Sequence, residues 1–281
     1  MRRGWRWRRK RQDWLTRDLD NAEFMLRLSR WLAARWSRHD FDVGSILLDY
    51  TRRLTEAGRH DDALAALNEA IDIGSRHVRA KPLRYAPNLA AALLMKAHLL
   101  AELGKVDEAL SSVEGAVEIY RTLAPGDRER FEPILFAALT SLGFWRHRRG
   151  EFAVALPAFE EAARLARRLP PARVADRAMA LNNLGAVLQE VGRSVEALPP
   201  VEEAVRIRRR LTAGDQKRYE PDLMASLRNQ EHILSTLGRY VEAVAVADEL
   251  SALGSTASAG GELPSLPNNS NPTADDEPGS A

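Results

Sequence analysis

Two adjacent pairs of carboxylates, Glu160-Glu161 and Glu202-Glu203, are the side chains most suited to general acid and base work, because neighbouring carboxyls can split their proton affinities and divide the roles. Their spacing argues against it. Each pair stands ten and eleven residues after a glycine (Gly150, Gly192), and active sites do not come in tandem copies, so the pairs read as a solvated helix face. The six histidines never occur as an i, i+4 pair and there is no His-Glu-x-x-His, the spacing that lets one helix face hold a metal. With no cysteine there is no thiolate metal site, no disulfide and no thiol nucleophile. No Gly-x-x-x-x-Gly-Lys-[Ser/Thr] or Gly-x-Gly-x-x-Gly is present to cradle a phosphate. Asp127 with Arg130 reads as a helix cap rather than a catalytic pair. The expectation is a protein without catalytic residues, cofactor or metal.

Charge is concentrated at the two ends. Residues 1–13 form a basic arm with Arg2, Arg3, Arg6, Arg8, Arg9, Lys10 and Arg11 around Trp5 and Trp7, although the whole chain carries only +2. One reading sets this arm on nucleic acid or an anionic membrane, the cations engaging phosphates and the indoles stacking or wedging. The other is a solvated, disordered basic tail. Residues 14–43 read as a capping helix, with Leu15, Leu19, Phe24, Leu28, Trp31 and Leu32 able to cover an open end. Residues 254–281 hold four prolines and the acidic run Asp275-Asp276-Glu277, without a lysine or arginine, and read as a disordered tail. No apolar run follows the basic start as a signal peptide needs, and none is long enough to span a membrane; the expected location is the cytoplasm.

Any groove would be positioned by the middle of the chain, which repeats. Five turns come into register: Gly58-Arg59, Gly104-Lys105, Gly150-Glu151, Gly192-Arg193 and Gly238-Arg239, at spacings of 46, 46, 42 and 46. Five residues after each glycine stands an alanine (Ala63, Ala109, Ala155, Ala197, Ala243), and Ala70, Ala116, Ala162 and Ala204 stand twelve after. Apolar residues at helical spacing flank each turn, such as Leu181, Leu184 and Leu188 before Gly192 and Leu198, Val201 and Val205 after it. The unit is helix, glycine turn, helix. One such pair cannot bury its apolar faces alone, so copies must stack. A joint links the copies: Gly126-Asp127-Arg128-Glu129-Arg130-Phe131-Glu132-Pro133 matches Gly214-Asp215-Gln216-Lys217-Arg218-Tyr219-Glu220-Pro221, with Arg84-Tyr85-Ala86-Pro87 as a shorter echo. The prolines suit a helix's first turn, and the aromatic is expected to pack into the joint. The third copy loses four residues here, reading Pro170-Pro171-Ala172-Arg173.

The pattern Leu181-Asn182-Asn183-Leu184-Gly185, Gly192-Arg193, Glu196-Ala197-Leu198, Glu202-Glu203-Ala204 resembles tetratricopeptide repeats, in the lengthened form of kinesin light chains and of signalling proteins from high-GC bacteria. Glu231 departs from it, standing where Ala97, Gly143 and Gly185 supply a small residue. The resemblance implies an all-α, right-handed superhelical solenoid of about five repeats over 44–253, at 44–87, 88–133, 134–176, 177–221 and 222–253. It further implies that the first helices line a concave groove, where an asparagine nine residues before the turn glycine grips a peptide. That register holds Met95, Ser141, Asn183 and Asn229, with Asn182, Arg228, Arg148 and Glu190 beside them. The alternative is that Asn183 only braces the neighbouring helix. The implied function is a scaffold or regulatory adaptor binding a partner's peptide or helix in the groove. The other reading is a regulator held on nucleic acid or an anionic membrane by the basic arm.

Overall fold

The structure, a computed structural model, describes residues 18–31 and 43–258. Residues 18–31 form helix α1. Five antiparallel pairs follow: α2 (Val43–Glu56) with α3 (His60–His77), α4 (Pro82–Glu102) with α5 (Val106–Leu123), α6 (Arg128–Arg148) with α7 (Phe152–Ala166), α8 (Val174–Glu190) with α9 (Ser194–Gly214), and α10 (Gln216–Thr236) with α11 (Tyr240–Ser258). No strand occurs among the described residues. Each helix packs mainly on its neighbours in sequence, giving an α-solenoid.

The turn glycines close each pair. Gly58, Gly104, Gly150, Gly192 and Gly238 lie at φ between 73° and 78°, the left-handed region where a side chain would strain the backbone. The next N–H reaches back to the first helix's last turn in every copy, as in Arg59 N to the Leu54 carbonyl at 2.8 Å and Arg193 N to the Leu188 carbonyl at 2.8 Å. These bonds satisfy carbonyls that the helix end would otherwise leave bare. Ala63, Ala109, Ala155 and Ala197 are fully buried where two helices meet. Gly143 and Gly185 admit their partners still more closely, Gly143 facing the Phe159 ring and Gly185 facing Val201.

Asp127 and Asp215 cap α6 and α10, each carboxylate accepting from the backbone N–H three residues on, at 3.1 and 3.2 Å. The joint aromatics lie under the preceding arginine: Arg84 over Tyr85, Arg130 over Phe131, Arg218 over Tyr219, at 5.7, 5.0 and 5.1 Å from the ring centres. Because the aspartate starts the helix, Pro133 and Pro221 fall in the second turn, not the first, and Pro87 does the same in α4. The first helices therefore begin at residues 82, 128, 174 and 216, ahead of the repeat starts expected at 88, 134, 177 and 222. At the far end, α11 runs through Gly254 to Ser258 instead of stopping at 253.

The cap at the N-terminal end differs in register from expectation. Leu19, Ala22, Leu26 and Ser29 face α2 and α3, whereas Phe24, Leu28 and Trp31 are exposed on the opposite side of α1. Leu19 covers the core as expected, but the rest of the covering stripe is Ala22, Leu26 and Ser29, so apolar bulk alone misplaced Phe24, Leu28 and Trp31. Leu15 and Leu32 lie outside the described residues.

Candidate functional site

The first helix of each pair forms one side of the stack. Here α2 approaches α4 and α8 approaches α10, while the second helices stand further apart, so the first helices lie on the inner side of the curve. Positions thirteen, nine, six and two residues before the turn glycine share one helix face and look along this side.

At α4 and α6 the file holds Met95, His98, Ser141, Phe144 and Arg148. Met95 packs against the N-terminal core and acts chiefly as packing. His98 Nε2 meets Ser141 Oγ at 3.2 Å, linking two first helices, and its ring lies edge-on to Trp145 at 5.7 Å. Burial pushes the His98 imidazolium below its ordinary range, with the Glu102 charge opposing the shift. Ser141 is thus occupied by its neighbour. Phe144 remains 49% exposed, with the Arg148 guanidinium over its face at 5.9 Å.

At α8 and α10 the amides divide their labour. Asn182 is buried, and its Oδ1 accepts from Ser226 Oγ at 2.9 Å and from Asn229 Nδ2 at 3.0 Å. Bracing thus falls to Asn182 and Asn229, not to Asn183. Asn183 is half-buried and makes no side-chain hydrogen bond to the described residues. Arg228, Glu190 and His232 are exposed beside it, and Gln189 Nε2 donates to Thr236 Oγ1 at 2.9 Å across the same two helices.

Behind this network sits a side chain that sequence reading passed over. Arg208 of α9 is buried, donating to the Asp222 carbonyl at 2.7 Å and to Ser226 Oγ. Burial lowers its proton affinity, and Asp222 partly opposes this. Its position, sixteen after the turn glycine, holds Gly74, Tyr120 and Ala166 in other copies, so a cation there was a visible anomaly.

The paired glutamates also resolve. Glu161 binds Arg121 of α5 at 2.5 Å and Glu203 binds Arg177, so they tie helices together. Among the described residues no group of three or more histidines, aspartates and glutamates is placed to hold a metal, and no helix is long and apolar enough to cross a membrane. Arg2, Arg3, Arg6, Arg8, Arg9, Lys10, Arg11, Trp5 and Trp7 lie outside the described residues.

Comparison with known proteins agrees with this architecture. A family model described as tetratricopeptide repeat matches residues 135–210, and one described as anaphase-promoting complex subunit 5 matches residues 46–135. No curated protein matches the sequence. Among solved structures, BtubC (BKLC) from P. vanneervenii is similar at 19% identity and a TM-score of 0.62, covering 94% of this chain and 99% of that one. A putative kinesin light chain with nearly identical TPR-like repeats from Podosopora anserina matches at 22% identity and a TM-score of 0.52, covering 75% of this chain and 94% of its own. MamA from Desulfovibrio magneticus RS-1 matches at 17% identity and a TM-score of 0.54, covering 76% and 97%. At these identities the likeness concerns the fold.

Proposed function

We infer that this chain, a tetratricopeptide-repeat protein, is a protein-interaction scaffold that holds an extended segment or helix of a partner along the inner file of its first helices. The observation that carries the reading is the arrangement around Phe144: a large apolar side chain left half in solvent on the inner side, a cation over its face in Arg148, and the unbonded amide of Asn183 on the next helix. An aromatic anchor with a nearby arginine is what interface energetics favour, and a free amide can pair with a peptide backbone. Ser141, Asn182 and Asn229 support the site from behind, because their hydrogen bonds set the spacing of the first helices. No step of this function needs turnover.

The test is affinity capture from native lysate with the full chain beside Phe144→Ala/Asn183→Ala. Partners specific to the wild-type chain, lost in the variant while far-UV circular dichroism is unchanged, are the expected result. Retention of the same partners by the variant excludes the inner file as the site.

A second reading rests on α1, where Phe24, Met25, Leu28 and Trp31 face away from the stack, Trp31 at 58% exposure. Together with the basic arm, this stripe suits an anionic membrane surface. Sedimentation with phosphatidylserine vesicles should then depend on residues 1–11 and weaken steeply with salt; salt-insensitive or absent binding rejects it.

A further inference from the structure

The last helix pair keeps apolar residues that interior pairs use to hold a neighbour. Six residues after the turn glycine, the first four second helices carry Leu64, Leu110, Leu156 and Leu198, all buried or half-buried, Leu198 in one core cluster with Leu227 and Leu234 of the next first helix, α10. Val244 holds this position in the last copy and is 60% exposed. Two residues after the glycine the same change occurs: His60, Val106, Phe152 and Ser194 are buried or half-buried, whereas Tyr240 is exposed. A repeat that ends a stack in water ordinarily carries a polar outer face. The outer face of α10 and α11 is instead that of a repeat awaiting a neighbour.

The opposite end has the matching feature. Leu19, Ala22, Leu26 and Ser29 of α1 rest on the stack, while Phe24, Leu28 and Trp31, four and three residues apart, lie exposed on its other face. A helix that is apolar on two opposite faces belongs between two layers, and among the described residues it has only one. Within residues 18–31 three carboxylates stand against two arginines, so the helix taken alone suits a protein surface better than an anionic lipid.

Charge agrees with this match. Ten residues after the turn glycine, Asn68 accepts from Lys96 at 2.8 Å and Glu114 pairs with Arg146 at 2.5 Å, each cation coming from the next first helix. Asp248 holds this place in the last copy, exposed and without an ion pair among the described residues. On α1, Arg27 stands at the rim of the outer face, one turn from Phe24 and Trp31, exposed and paired with Glu23 of its own helix. Such a surface pair is weak and exchanges readily for another carboxylate.

We propose that copies of this chain associate end to end, the outer face of α1 in one copy covering Tyr240 and Val244 at the open end of the next, with Arg27 directed at that copy's Asp248. The contact joins two different surfaces, so each assembly keeps one free end of either kind and growth is open-ended. Two small patches place it among weak interfaces that form with rising concentration.

Sedimentation equilibrium of the full chain from about 1 µM to about 300 µM should show the weight-average mass rising at least about twofold above the monomer, with no plateau at the dimer. Phe24→Glu and Val244→Lys change exposed side chains only, so circular dichroism should stay unaltered, and each variant alone should remain monomeric. Mixed in equal amounts they should form a dimer and nothing larger, because the mixture keeps one intact α1 face and one intact α11 face. A wild-type chain that is monomeric at every concentration, whether or not it sediments with phosphatidylserine vesicles, would overturn the proposal. So would a plateau at the dimer, association that survives either substitution, or a mixture that stays monomeric.

Discussion

The same substitution should act with opposite sign at two buried or half-buried glycines. Gly115→Ala and Gly185→Ala each replace a helical glycine, and each gains about 1 kcal/mol of helix propensity through the lost freedom of the unfolded chain. At Gly115 the new methyl meets only Leu93 Cδ1 at 3.3 Å, the end of a rotatable side chain that can step aside, so most of that gain survives. At Gly185 it overlaps Val201 Cγ2 and lies 3.0 Å from the Ala197 carbonyl oxygen. Valine is stiff at χ1 and the carbonyl belongs to the backbone, so α8 and α9 must move apart. Overpacking of this kind costs about 1–3 kcal/mol, and backbone involvement places it near the top of that range. Net destabilisation of about 2 kcal/mol is expected for Gly185→Ala, against a gain of up to about 1 kcal/mol for Gly115→Ala. Urea unfolding followed by circular dichroism should separate the midpoints by roughly 1 M. A Gly185→Ala midpoint at or above that of Gly115→Ala would refute the close-packing argument.

Three further outcomes follow from particular contacts. His98 is held neutral by burial, so the unfolded chain takes up its proton first; stability should be full above the ordinary value of 6.5 and fall as pH drops below it, and His98→Gln should flatten this part of the profile in thermal melts. Ser226→Ala removes the hydroxyl that accepts from Arg208 and donates to Asn182, and should cost about 1–3 kcal/mol in urea unfolding, whereas Asn183→Ala should cost under about 0.5 kcal/mol. Pro199→Ala restores a donor for the Val195 carbonyl inside α9 and should raise the melting temperature by an amount equivalent to about 1–3 kcal/mol.

The repeat was legible in the sequence because its determinants are local. A glycine that must adopt positive φ, an alanine where two helices touch and an aspartate that caps the next helix each leave a mark at a fixed place, and repetition amplifies it. The joint prolines misplaced the helix starts, since each stands in the second turn of its helix, with or without a capping aspartate, and only removes the donor for the carbonyl four residues earlier. On α1 Leu19 marked the covering face, while Phe24, Leu28 and Trp31 marked the exposed one, because a cap needs only to fit the surface that it covers.

The groove was legible in outline only. The periodicity put Asn183, Asn229 and Phe144 on one helix face, but which amide braces and which stays free depends on atoms some 45 residues apart in sequence. Asn182 turned out to hold Ser226 and Asn229 while its neighbour holds nothing. Arg208 depends likewise on how α9 lies beside α10, where it finds the Asp222 carbonyl and the Ser226 hydroxyl. The sequence by itself determined the helix pairs, their number and their stacking, because turn geometry and helical periodicity act within a few residues. Only the tertiary structure decided which polar groups were consumed in holding helices together and which were left for a partner, because hydrogen bonds and ion pairs are satisfied between helices, at distances that no local pattern encodes.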